Sequence, residues 1–145
     1  MTSRPTRTSP ARLAAALAIA ALAAGCAPST SGSSNSTSKF KGDARLAAQT
    51  IEDLEAAAKD GDNAKICTQL LAPSLAGRMG ASGRNCPKAV DEAVKDADSL
   101  DMTVQQVSVN GDTATARVKL ETGKQDRIAT FRLRRDGGRW KIQSL

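Results

Sequence analysis

Residues Thr113–Glu121 read TATARVKLE, a strict alternation of apolar and polar side chains. Ala114, Ala116, Val118 and Leu120 share one side of an extended chain; Thr115, Arg117, Lys119 and Glu121 share the other. A period of two over this length marks a strand buried on one face. Asn110-Gly111 stands just before it, a strong signal for a tight hairpin. Met102–Val109 is therefore the preceding strand. Its phase slips, since Met102 and Val104 have one parity and Val107 and Val109 the other. A bulge near Gln105-Gln106 reconciles them and bends the sheet. Downstream, Gly123-Lys124 and Gly137-Gly138 supply two further turns. They bound the strands Arg127–Arg135, with Ala129, Phe131 and Leu133 inward, and Arg139–Ser144, with Trp140 and Ile142 inward. Two-residue turns then set Ala116 opposite Phe131, Val118 opposite Ala129 and Leu133 opposite Ile142. Inward residues meet inward residues, as a half-buried sheet requires.

Upstream the period changes to 3.6. Residues 44–60 read ARLAAQTIEDLEAAAKD, with Leu46, Ile51, Leu54 and Ala58 near helical spacing, Ala47 and Ala57 filling the stripe, and Asp43 as the expected N-cap. Gly61 stops this helix, and Asp62 caps a second stretch, Asn63–Leu71, with Ile66, Cys67, Leu70 and Leu71 apolar. Pro73–Met79 follows as a short helix or turn. After a loop marked by Gly80, Gly83 and Asn85, Cys86-Pro87 opens a helix carrying Val90 and Val94 and running to about Asp98. Helices first and a meander afterwards predict an α+β fold. The N-terminal helices pack on one face of a curved four-stranded antiparallel sheet.

Composition narrows the chemistry. The 145 residues include no His, no Tyr, two Phe, one Trp and three Cys. His-ligated metals, His-based triads and Tyr general acids are excluded, and no metal or cofactor is expected. So few aromatics also argue against a base-stacking surface, and nucleic acid is not an expected partner.

The N-terminus reads as an address. Met1–Arg12 carries Arg4, Arg7 and Arg12 with no acid, and Leu13–Ala24 reads LAAALAIAALAA. A basic start, a short apolar run and small residues at its end make a secretory signal. The run is too short to span a bilayer, which needs about 20 apolar residues. Leu22-Ala23-Ala24-Gly25-Cys26 resembles the lipobox of bacterial lipoproteins. That resemblance implies a diacylglycerol on the Cys26 thiol and cleavage just before it. Ordinary secretion, with cleavage near Ala21-Leu22-Ala23, is the alternative. Ala27–Ser38 reads APSTSGSSNSTS, too polar to fold. The expected organisation is a signal peptide at 1–25, a lipidated Cys and Ser-rich tether at 26–38, and one domain at 39–145. The expected location is the extracytoplasmic face of the cell membrane. With Cys26 assigned to lipid and the chain exported, Cys67 and Cys86 are expected to form a disulfide.

Three of the 21 basic residues leave with the signal and all 15 acids stay, so the net charge falls from +6 to +3. The positive excess lies in the strands. Arg117, Lys119, Arg132, Arg134 and Lys141 share the outward face by parity, and Arg134 stands opposite Lys141. Like charges so placed repel unless something anionic approaches. Lipid headgroups, an anionic wall polymer or an acidic envelope protein would serve. A solvated face with protective charges is the plainer reading, and a homodimer through this face is a further option.

Five features together resemble the nuclear transport factor 2-like (cystatin-like) superfamily over residues 43–145, and within it small secreted or lipidated members of high-GC bacteria. They are the Gly61-Asp62 break, Cys67 followed by Leu70-Leu71, Cys86-Pro87, Asn110-Gly111-Asp112 and the closing Gly138-Arg139-Trp140-Lys141-Ile142. Enzymes of that superfamily place Asp, His or Tyr inside a cone between helices and sheet. Here His and Tyr are missing, and the polar inward candidates are Gln105, Arg127 and Arg135. The expectation is a non-catalytic binding or scaffolding module. The first alternative is a carrier of a small apolar ligand, with Val118, Phe131, Leu133 and Trp140 lining its cavity. The second is an unrecognised enzyme.

Overall fold

Ala47, Ala48, Ile51, Glu55 and Ala58 recur at steps of three and four, and small side chains among them let a helix lie close against a sheet. The computed structural model, which describes residues 37–81, 83–95, 101–121 and 125–145, shows this helix as α1, Gly42–Lys59. The signal segment, Cys26, most of the tether and the Gly123-Lys124 turn lie outside the described residues. Two details of α1 differ from expectation. Lys41, not Asp43, is the N-cap; Asp43 lies inside the first turn, where its charge suits the helix dipole and meets Arg135. Leu46 is 46% exposed, because the side facing the sheet is centred on Ala47, Ile51 and Glu55 instead.

Gly61 adopts φ +68 and closes α1. Its N–H donates to the Ala58 carbonyl and that of Asp62 to the Ala57 carbonyl, the paired bonds of a Schellman end. Asp62 then caps α2, Asn63–Lys65, accepting from the Lys65 N–H at 3.0 Å. The chain widens into a π-helical turn, Ile66–Leu70, which buries both Ile66 and Leu70. A single regular helix to Leu71 was expected; the five-residue turn is the difference. α3 spans Pro73–Gly80 and α4 Cys86–Val94. Asn85 caps α4 by accepting from the Lys88 N–H, and Pro87 is its second residue. The expected end near Asp98 lies outside the described residues. Cys67 and Cys86 are bonded, joining the π-helical turn to α4 with their Cα atoms 6.1 Å apart.

The sheet runs β1 (Asp101–Asn110), β2 (Thr113–Glu121), β3 (Asp126–Asp136) and β4 (Arg139–Ser144), antiparallel and in sequence order. Ala116 faces Phe131, Val118 faces Ala129, and Leu133 faces Ile142, as the alternation requires. Val104 pairs with Val118 and Gln106 with Arg117, so Gln105 is the extra residue of the β1 bulge. A second irregularity was not legible: Leu133 pairs with Ile142 but Arg132 with Ser144, leaving Gln143 over. The helices cover the inward face. The outer edge of β4 is also covered, by a parallel bridge from Leu71 to Ile142 and the Ala72 N–H donating to the Ile142 carbonyl at 2.8 Å. Arg78 Nη2 donates to the Gln143 carbonyl at 3.1 Å. A covered edge cannot template pairing with another chain.

Candidate functional site

Strand parity decides which charges reach water. On the outward face Arg117 stands between Gln106 and Thr130, Arg132 beside Thr115, and Arg134 between Thr113 and Lys141. All three arginines are exposed, and among the described residues none has an ion-pair partner. The two lysines of the same face are committed. Lys119 Nζ lies 2.7 Å from Glu121 Oε1 and 2.9 Å from Asp126 Oδ2. Its hydrogen bonds to Glu121, then Asp126, hold its pKa well above the usual lysine range. Lys141 keeps only 12% of its side chain exposed and reaches Asp136 at 3.5 Å. The five cations expected on this face thus divide into three open arginines and two paired lysines.

The polar inward candidates do not form a site. Gln105 sits exposed in the bulge and Arg127 is exposed near the start of β3. Only Arg135 turns inward. Its guanidinium stacks 4.9 Å above the Trp140 ring, meets Asp43 at 2.5 Å and stands 3.8 Å from Asp112. It closes the end of the core beside the start of α1, which is a structural task.

Val118, Phe131, Leu133 and Trp140 are 0%, 2%, 1% and 4% exposed and belong to one continuous core. They pack against each other and the helices, and none borders the cleft seen elsewhere. That cleft, about 290 Å³, is lined by Ala72, Pro73, Ser74, Arg134, Arg135, Asp136 and Gln143, at the covered edge of β4.

One buried acid escaped the sequence reading. Glu55 is 4% exposed and is held by Lys59 Nζ at 2.5 Å; the same ammonium reaches Asp101 at 2.6 Å. A signal was present, because the i+4 step from Ile51 lands on Glu55. The triad pins the end of α1 to the start of β1. Among the described residues, no group of three or more His, Cys, Asp or Glu is placed to hold a metal ion. No described helix is long and apolar enough to cross a membrane.

Helices laid on one face of a curved antiparallel meander define a nuclear transport factor 2-like fold, and solved structures carry the likeness. A Campylobacter jejuni protein described as an NTF2-like transpeptidase is 14% identical, with a TM-score of 0.51 over 68% of this chain and 97% of its own. A designed NTF2 protein is 19% identical, with a TM-score of 0.53 over 70% and 96% of the two chains. A SEC-C motif containing protein from Rhodopseudomonas palustris is 16% identical, with a TM-score of 0.51 over 66% and 73%. No family model matches the chain, and no curated protein does. These likenesses define the fold.

Proposed function

We propose that this chain is a lipid-anchored extracytoplasmic protein whose single domain is a non-catalytic binding module, and that it binds through the outward face of its sheet. One observation carries the reading. Among the described residues, Arg117, Arg132 and Arg134 stay exposed and without an ion-pair partner on a face where the two lysines have acidic partners. Cations left open on a rigid sheet are preorganised for an anionic partner. The interior supports the same choice. The buried carboxylate of Glu55 is tied up by Lys59, and Val118, Phe131, Leu133 and Trp140 are used in packing.

The anchor rests on the lipobox-like Leu22–Cys26 segment and the Ser-rich stretch after it. Two acyl chains suffice for stable attachment, each buried CH₂ contributing about 0.8 kcal/mol.

The test is capture from solubilised envelopes with the full chain and with Arg117→Glu/Arg132→Glu/Arg134→Glu. The expected result is a partner retained by the wild type and lost by the variant. Equal capture by both removes the arginine face as the binding surface.

A further inference from the structure

Building on the arginine-face reading above, we infer that the ligand is a linear polyanion carrying phosphodiester groups, laid across β2 and β3 along Arg117, Arg132 and Arg134. Strand register puts the three in a line. Arg117 pairs with Thr130, so Arg132 is its diagonal neighbour, and Arg134 follows on the same face of β3. Each step is about 7 Å, which makes the track roughly 14 Å long. A small anion would engage one or two of these groups. Regular steps of positive charge suit a chain of regularly spaced negative charge.

The groups between the arginines fit phosphate oxygens. Ser108, Thr115 and Thr130 are exposed on the same face and bring hydroxyl donors. Guanidinium forks bind phosphate through two parallel N–H donors. No carboxylate lies among these rows. Glu121 and Asp126 are at the far end holding Lys119, and Asp136 is beyond Arg134 beside Lys141. The cleft beyond Arg134 is also lined by Asp136, so the track ends at Arg134.

Other anionic partners fit less well. Protein interfaces are anchored by buried aromatic or aliphatic side chains, and the track has none. Ile128, 48% exposed, sits opposite Lys119 at the acidic end. Base stacking is not offered, since Phe131 and Trp140 are buried. A bilayer presents a plane of charge, and Glu121 and Asp126 on the same face would oppose it.

The test titrates the full chain with fluorescent poly(glycerol phosphate) over a salt series. Parallel arms use poly-glutamate and phosphatidylglycerol vesicles. The expected result is saturable polymer binding, with log K falling against log salt at a slope of about −2, the value for three phosphate contacts on a flexible strand. Each of R117Q, R132Q and R134Q is expected to weaken binding about fivefold. Each also flattens the slope by about 0.7. K119Q, on the same face but outside the track, is expected to bind like the wild type. All four positions are partly or fully exposed, and circular dichroism checks that the variants are folded. Polymer binding unchanged in the triple Arg→Gln variant overturns the track. Tighter binding of poly-glutamate or vesicles, lost in the triple variant, overturns the polymer but keeps the arginine face. Failure of all three probes to bind overturns both.

Discussion

Glu55 shows how a buried charge makes its partner matter more than itself. Its carboxylate is buried, and Lys59 gives it a counter-ion while reaching Asp101 from the same ammonium. Removing the cation leaves a charge without a partner, whereas removing the acid leaves a lysine that water can still solvate. Lys59→Met should therefore cost about 1–2 kcal/mol, the half-exposed ammonium being partly screened, and Glu55→Gln should cost less. Urea denaturation of the two variants checks the order. The pH dependence has a definite sign. Hydrogen bonds to Asp101, then Glu55, raise the Lys59 pKa above its ordinary 10.5. The unfolded chain releases this proton first, so the contribution is complete below 10.5 and is lost as pH rises through the folded-state value. Stability should begin to decline as pH rises above 10.5, and the decline should be shallower in Lys59→Met.

At the scale of elements, the disulfide joins two pieces with little regular structure of their own. The π-helical turn has five residues and α4 nine. Cross-linking across a separation of 19 residues restricts the unfolded chain by about 3 kcal/mol. Cys67→Ala/Cys86→Ala should lower the melting temperature by about 10–20 °C. Reductant should produce the same shift in the wild type and none in the variant, by thermal circular dichroism. The strands were easier to read than the helices, for a physical reason. TATARVKLE alternates without exception, and its turns fix register, so even the Gln105 bulge followed from the phase slip between Val104 and Val107. The inner side of α1 is mostly alanine, which carries little periodic contrast, so Leu46 joins the expected stripe although it is exposed and Glu55 is missed, while Ile51, Leu54 and Ala58 do pack on the core. The π-helical turn and the Gln143 irregularity depend on contacts with distant segments, which local pattern does not encode. The cation face was legible as parity. Its division into open arginines and paired lysines was not, because that depends on where Glu121, Asp126 and Asp136 reach.

For the whole molecule, attachment and binding are separable. The proposed anchor is at Cys26, and the proposed track is on β2 and β3. Cys26→Ala should move the protein from the membrane fraction to the soluble fraction while leaving its affinity for poly(glycerol phosphate) unchanged. Cell fractionation followed by anisotropy titration checks both halves. A variant that stays in the membrane fraction would contradict the anchor.

The clasp on β4 bears on the order in which the molecule folds. Ile142 pairs with Leu133 on one side and with Leu71 on the other, and the Ala72 N–H closes onto its carbonyl. Leu71 and Ile142 are far apart in sequence, so their contact closes a long loop that contains most of the sheet. Until the helical half and the sheet have met, β4 has a neighbour on one side only and the start of α3 has no strand to rest on. Closing this loop is therefore the slow step of folding, and the clasp is the joint by which the two halves of the domain lock.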